Sequence, residues 1–478
     1  MRAAAIVLLL AAFPISALAQ NESRLHRDFR VEAESLSSCK KLNFGSLADC
    51  GQTLVMGQPM HISVGSLAPQ NGLGFGLAFV EHKNFANEWR TNYNIDAQAT
   101  LNGSWRAGAY MKAYRLPGGT TYKVAPLFGL YSQSISLTRV DYYGLGPNTL
   151  PATHTTYGFS ENITGVSAIM PLNGVFRPAR IAIVAELNGR FPSLRPGSES
   201  SIPSTSQIFT ETTAPGLVRQ TAYFQPSEGV RIAPGFFKNR IRLNYLLQFQ
   251  QYVAPGNSAY SFRRWNADFN HEIPLYSLLP SRLAAKYYTN RASQIIYNGP
   301  DDCTGSSAGK NIPPQRAAAG QDPARPCPVV STPEKLEGSI SLRLFLSESF
   351  ANRGSTVPFY LMPTLGGSDI NGTPMLASYP DYRFRAPNLL LLRGTIEHSI
   401  GKLPIGALFS VDEGKVAMRR DDIAFDHLRH SFNAGLTVHA GGLPVFYLLF
   451  AWGGSEGSHT TANISPALLG GGSRPSLF

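Results

Sequence analysis

Residues 239–252 read NRIRLNYLLQFQQY, and their alternation decides the fold. Ile241, Leu243, Tyr245, Leu247 and Phe249 fall on one side, and Arg240, Arg242, Asn244, Gln248 and Gln250 on the other. A repeat of two belongs to a β-strand, whose successive side chains point to opposite faces. The pattern recurs in 92–102, where Tyr93, Ile95, Ala97, Ala99 and Leu101 oppose Asn92, Asn94, Asp96, Gln98, Thr100 and Asn102. Residues 339–347 set Ile340, Leu342, Leu344 and Leu346 against Ser339, Ser341, Arg343 and Ser347, and 181–190 set Ile181, Ile183, Ala185 and Leu187 against Glu186, Asn188 and Arg190. Runs of about ten residues match the length a tilted strand needs to cross a bilayer. Strands of soluble sandwiches are shorter, about five or six residues. In hydrocarbon only a closed sheet satisfies every backbone group. The expectation is therefore all-β: an antiparallel transmembrane β-barrel over residues 71–478, with about sixteen strands.

An export signal supports this reading. Arg2 supplies a positive start, Ala3 to Phe13 an apolar stretch, and Ala17-Leu18-Ala19 a small-residue cleavage site before Gln20, so residues 1–19 read as a signal peptide. The apolar stretch is shorter than the about 20 residues of a transmembrane helix. A 43% hydrophobic content suits a soluble protein and a barrel alike, because only alternate barrel residues face lipid. Residues 20–70 read as a short periplasmic N-terminal segment. The cysteines fall into two local pairs, Cys39 with Cys50 and Cys303 with Cys327. With an export signal they point to two disulfides, whereas zinc would need closer Cys or His spacing. Forty-two Lys and Arg against 31 Asp and Glu give +11, spread along the chain. Nucleic-acid binding needs a clustered basic stripe, and the sequence has none. Segments rich in Gly, Pro and Ser at 191–206, 299–335 and 366–375 read as loops, long on one side of the barrel and short on the other.

Three pieces taken in order carry a family resemblance: Leu365-Gly366-Gly367-Ser368-Asp369, then Ser378-Tyr379-Pro380-Asp381-Tyr382-Arg383-Phe384-Arg385, then Val411-Asp412-Glu413-Gly414-Lys415-Val416. They resemble the C-terminal barrel of the BamA/TamA-like outer-membrane proteins, the bacterial surface antigen family. Residues 143–149 (YGLGPNT), 262–274 (FRRWNADFNHEIP) and Val357-Pro358-Phe359-Tyr360 extend the resemblance over most of the chain. It implies a barrel in the bacterial outer membrane with a glycine-led loop folded into the lumen. In the family that loop carries an Arg-Gly-aromatic tip, and its arginine reaches an acidic residue on a later strand. Here the tip positions are Ala377-Ser378-Tyr379, while the matching acid, Asp412, is kept. A lumen carboxylate without a partner is costly, so Arg383 or Arg385 is expected to replace the lost arginine.

Two further departures bear on function. Family members that fold other barrels carry periplasmic POTRA repeats, and residues 20–70 are too few for one. The last strand of the family alternates aromatics, whereas residues 459–470 contain Pro466 and few of them. Proline removes a ladder donor, so the seam between first and last strands, the family's lateral gate, is expected to be weakly joined. Terminal Phe478 resembles the closing aromatic of such barrels, with Pro475 shortly before it. The implied work is insertion or translocation of polypeptide or lipid at the outer membrane. The implied partners are outer-membrane lipid and client membrane proteins or periplasmic partners. The rival is a passive solute channel or a surface-displayed structural barrel.

No enzyme, cofactor or metal is expected. Residues 305–309 (GSSAG) match a serine-nucleophile pattern but lack the flanking strand and helix which that chemistry requires. His427 and His430, with Asp421, Asp422 and Asp426 nearby, do not complete a metal set and read as a polar turn. Gly72, Gly74 and Gly76 lead into a strand, not the helix of a phosphate loop. Arg240, Arg242 and Arg343 are expected to face the lumen. There they either focus anions by charge or pair with Asp96, Glu186 and Asp268.

Overall fold

The computed structural model describes residues 24–36, 54, 59–85, 89–115, 126–172, 180–237, 240–276, 336–400, 405–440 and 443–464. The signal at 1–19, all four cysteines, the 305–309 motif, Pro466, Pro475 and Phe478 lie outside the described residues. The wall begins with β1 (Met60–Ser66), β2 (Leu73–Phe85), β3 (Trp89–Ala99), β4 (Trp105–Arg115), β5 (Leu127–Tyr142), β6 (Thr155–Pro171), β7 (Ile181–Pro196) and β8 (Tyr223–Ile232), which resumes as β9 (Gly235–Phe236). It continues through β10 (Ile241–Tyr252), β11 (Phe262–Tyr276) and β12 (Leu336–Ala351). After two short strands, β13 (Thr364–Leu365) and β14 (Phe384–Arg385), come β15 (Asn388–Ser399), β16 (Ile405–Ala417), β17 (Arg429–Ala440), β18 (Leu443–Gly454) and β19 (Gly457–Ile464).

Each wall strand through β18 pairs antiparallel with the next, while β13 and β14 pair with each other and Arg385 of β14 also bridges to Gly146. Sixteen strands thus form a nearly closed barrel, as the alternation implied. Its ends meet at β1 and β19, where the Ile464 amide donates to Ser66 Oγ at 3.2 Å. No ladder pairing joins these two strands among the described residues.

Polarity is inverted relative to a water-soluble protein. On β3, Ile95 is 58% exposed while its neighbour Asp96 is 3% exposed. On β7, Ile183 and Leu187 stand outside and Asn188 and Arg190 are buried inside. Gln248 and Gln250 likewise face in on β10, with Leu247 out. Outward Phe75, Leu77, Trp265, Leu342, Ile396, Leu436 and Phe450 continue the apolar exterior around the wall. Large contiguous apolar surface is rare on soluble monomers, whereas an apolar outer band around a polar lumen is what a bilayer-spanning barrel requires.

Two expectations about loops are corrected. Residues 191–196 belong to β7, and Pro192 sits opposite Glu161 of β6. Proline is tolerated there because the ladder to β8 ends at Arg190 opposite Tyr223, so this stretch of β7 has a single ladder partner. The long connections also do not share one end: the one after β11 and the one after β12 are consecutive in an up-and-down wall and so leave from opposite ends. At the end carrying the β5–β6, β7–β8 and β12–β15 connections, the lumen is filled mainly by aromatic side chains. Tyr142, Tyr157, Phe159, Tyr223, Tyr252 and Phe262 from the wall pack there against Phe359, Tyr360 and Leu361.

Candidate functional site

The connection from β12 to β15 turns back against the inner wall. Gly366 and Gly367 make the reversal possible, with φ of +113° and +61°. A Cβ on Gly367 would lie 2.3 Å from Asp381 Oδ1, and one on Gly366 would lie 2.6 Å from Arg383 Cβ. Only a residue without a side chain lets the outgoing and returning halves approach this closely. Backbone bonds tie the halves together: Gly366 N donates to Met375 O at 2.9 Å and Tyr382 N to Gly366 O at 3.1 Å. Asp381 adds side-chain bonds, taking Ser368 N at 2.9 Å and Gln70 Nε2 at 2.6 Å. Asp369 accepts from Asn371 N and Thr373 N. Burial pushes the carboxyls of Asp369 and Asp381 above the usual range, and the backbone donors partly offset it.

The segment is fastened to inward-facing groups of the last strands. Leu376 N donates to Asp412 Oδ2 at 3.1 Å and Ser378 N to Ser431 Oγ at 3.0 Å. Gly372 O accepts from Tyr447 OH at 2.8 Å and from Asn463 Nδ2 at 2.9 Å. Tyr379 is buried, meets Phe384 edge-on at 5.2 Å, and its hydroxyl accepts from Ser455 N at 3.4 Å.

Neither expected arginine pairs with Asp412. Its partner is Arg393, on the neighbouring strand β15 and directly opposite in register, at 2.6 and 2.8 Å. Arg393 also donates to Pro374 O, which links the wall pair to the segment. A cross-strand partner on a rigid wall satisfies the carboxylate without any contribution from the segment's own arginines.

Those arginines do other work. Arg383 donates from Nε to Glu456 at 2.7 and 3.0 Å and from Nη1 and Nη2 to Thr149 at 2.6 Å each. Its guanidinium also lies over the Tyr143 and Phe384 rings. Arg385 donates to Phe359 O at 2.9 Å, and its carbonyl accepts from Gly146 N at 2.7 Å. The Arg385 charge sits among the rings of Tyr142, Tyr157 and Phe359, whose negative faces offset its lost hydration. Together the two arginines join the returning half of the segment to the β5–β6 and β18–β19 connections.

The basic candidates behave mostly as structural pairs. Arg343 is bidentate on Asp268 at 2.8 and 2.9 Å, and Arg242 reaches Glu272 at 3.4 Å. Arg240 is exposed in the turn before β10 instead of lying on the strand. The buried acid on β6 is matched as well, by Arg190 with Glu161 at 2.9 and 3.1 Å. A cleft of about 820 Å³ opens beside Tyr379, bordered by Lys415, Arg429, His427 and His430. No metal-binding group of His, Cys, Asp and Glu occurs among the described residues.

Neither a family model nor a curated protein matches the sequence. Among solved structures, the chain is similar to CdiB from Acinetobacter baumannii, with 11% identity and a TM-score of 0.46 over 85% of this chain and 60% of that one. It is similar to BamA from Haemophilus ducreyi lacking POTRA domains 1-3, with 12% identity and a TM-score of 0.46 over 84% and 68%. CdiB from Escherichia coli gives 12% identity and a TM-score of 0.45 over 85% and 62%. The chain spans under two thirds of the length of both CdiB chains. It is a sixteen-strand antiparallel barrel with an apolar exterior and a glycine-hinged segment bound along its inner wall.

Proposed function

We propose that this protein is a bacterial outer-membrane barrel that assists insertion or translocation of polypeptide or lipid through the seam between β1 and β19. The observation that carries the reading is the seam, where the described residues supply one side-chain bond, Ile464 N to Ser66 Oγ, and no ladder. Pro466, two residues on, has no amide hydrogen to donate. Unpaired strand edges recruit other strands, so a client segment can template on β1 while the lumen segment obstructs the central route. In this reading the protein works without catalysis, and its partners are outer-membrane lipid, client membrane proteins and periplasmic partners.

The test is a tether across the seam. Ser66→Cys with Ile464→Cys, oxidised in liposomes, should slow assisted folding of a co-reconstituted probe barrel at least tenfold, and reductant should restore it. Wild type given the same treatments controls for the native cysteines. Equal rates with the seam locked and free would overturn the proposal. The passive-channel reading is served by one further observation, the inward polar rows on β3, β7 and β10. It expects steady conductance in planar bilayers with and without residues 366–388. The seam reading expects a quiet wild type and a conducting deletion.

A further inference from the structure

The helix Arg24–Leu36 lies on the outside of the barrel, at the edge of β1. Glu32 and Leu36 border a small crevice with Met60, Ile62 and Leu77, three outward-facing side chains of β1 and β2. Glu32 is buried, and its carboxyl oxygen accepts from the Met60 amide at 3.2 Å. Register shows where that amide points. Val80 N donates to Pro59 O at 2.7 Å, and Met60 sits opposite Phe79. In an antiparallel ladder, bonded and non-bonded pairs alternate. Pro59 therefore faces β2, and the Met60 amide faces the seam.

We propose that this helix and an incoming strand compete for the edge of β1 that no described strand pairs, with Glu32 holding its seam-facing Met60 amide. The inference rests on the seam reading above and adds its control. A strand that adds along β1 needs Met60 N as a ladder donor, so Glu32 must leave before the lower end of the edge can pair. The helix is suited to come and go on a lipid-facing wall. Leu25 and Phe29, one turn apart, stand exposed near Arg30, an apolar strip beside a basic residue that fits the boundary between acyl chains and headgroups.

Two readouts on the full chain in liposomes decide it. The first is hydrogen exchange at Met60, expected at least fivefold faster in Glu32→Ala than in wild type. The second is capture of a synthetic peptide of residues 457–470 by a photocrosslinker at Ile62, expected at least threefold higher in Glu32→Ala and in a deletion of 24–36. Unchanged Met60 exchange overturns the contact, and with it the competition, whatever the peptide does. Faster exchange without peptide capture in any variant shows instead that the edge accepts no strand. That result sinks the seam reading and the competition together. Both effects present supports the proposal.

Discussion

Replacing Arg383 with alanine tests how the lumen segment is held. The side chain is 1% exposed and donates twice to Glu456 and twice to Thr149. Removing one partner of a buried ion pair costs about 3–5 kcal/mol, chiefly because the other charge is left behind. Glu456 retains 16% exposure, so water recovers part of the loss and the lower end, about 3 kcal/mol, applies. At about 1.4 kcal/mol per tenfold, this lowers the ratio of docked to undocked segment roughly 150-fold. Hydrogen exchange of residues 366–385 in liposomes reads that ratio directly. Arg383→Lys should fall between, because a point charge cannot hold Glu456 and Thr149 together as a planar fork does. Glu456→Ala and the double variant complete a cycle whose coupling should exceed about 1 kcal/mol. Protection within threefold of wild type in Arg383→Ala, with additive effects in the cycle, would refute the reasoning.

Other outcomes follow from the same geometry. Gly367→Ala puts a Cβ 2.3 Å from Asp381 Oδ1 at a φ of +61°; the left-handed backbone alone costs about 1–2 kcal/mol, so the segment should become protease-sensitive while strand content by circular dichroism holds. Leu187→Arg on the outer face of β7 should destabilise the folded barrel in lipid by about 2–4 kcal/mol, and a loss below about 0.5 kcal/mol would remove that face from the hydrocarbon. Burial raises the carboxyls of Asp369 and Asp381 above the ordinary 3.8, so their contribution is complete below that value and is lost as pH rises through the folded pKa. Protease protection of the segment should therefore increase from pH 7 toward pH 4, and Asp369→Asn with Asp381→Asn should flatten the trend; the opposite slope in wild type would show the burial argument wrong.

Alternation made the wall legible because a two-residue period is a property of single strands and needs no knowledge of their neighbours. Ile95 against Asp96, and Leu187 against Asn188, sort correctly from sequence alone. Boundaries read less well. Composition marked 191–196 as loop, yet the ladder with β6 carries β7 through Pro192. The segment's glycines were legible as a hinge, but the partner of Asp412 was not. Arg393 lay hidden in the run Leu389–Gly394, where it looks like the polar end of an apolar stretch. Registering β15 against β16 by their inward residues places Arg393 directly across from Asp412. A search for inward cations facing inward acids could have found the pair. The helix over β1 carries no long-range signal in its residues, since its location depends on where the chain enters the barrel.

Several wall strands are longer than a membrane crossing needs. β5, β6, β7 and β12 run 16, 17, 16 and 16 residues, against about 9–11 for a tilted crossing. The surplus, about six residues at about 3.4 Å each on strands tilted about 45°, adds a collar of up to about 14 Å of wall beyond the hydrocarbon. The aromatic packing lines the end of these strands that carries the β5–β6 connection, and Arg383 meets Glu456 and Thr149 in connections at that same end. A charge moved across the whole membrane field gains about 2.3 kcal/mol per 100 mV, but charges held in a collar outside the field gain almost nothing. The Arg383 fastening is thereby electrically silent. Membrane potential has no purchase on it, and whatever undoes it must arrive as a contact or a pull at the collar itself.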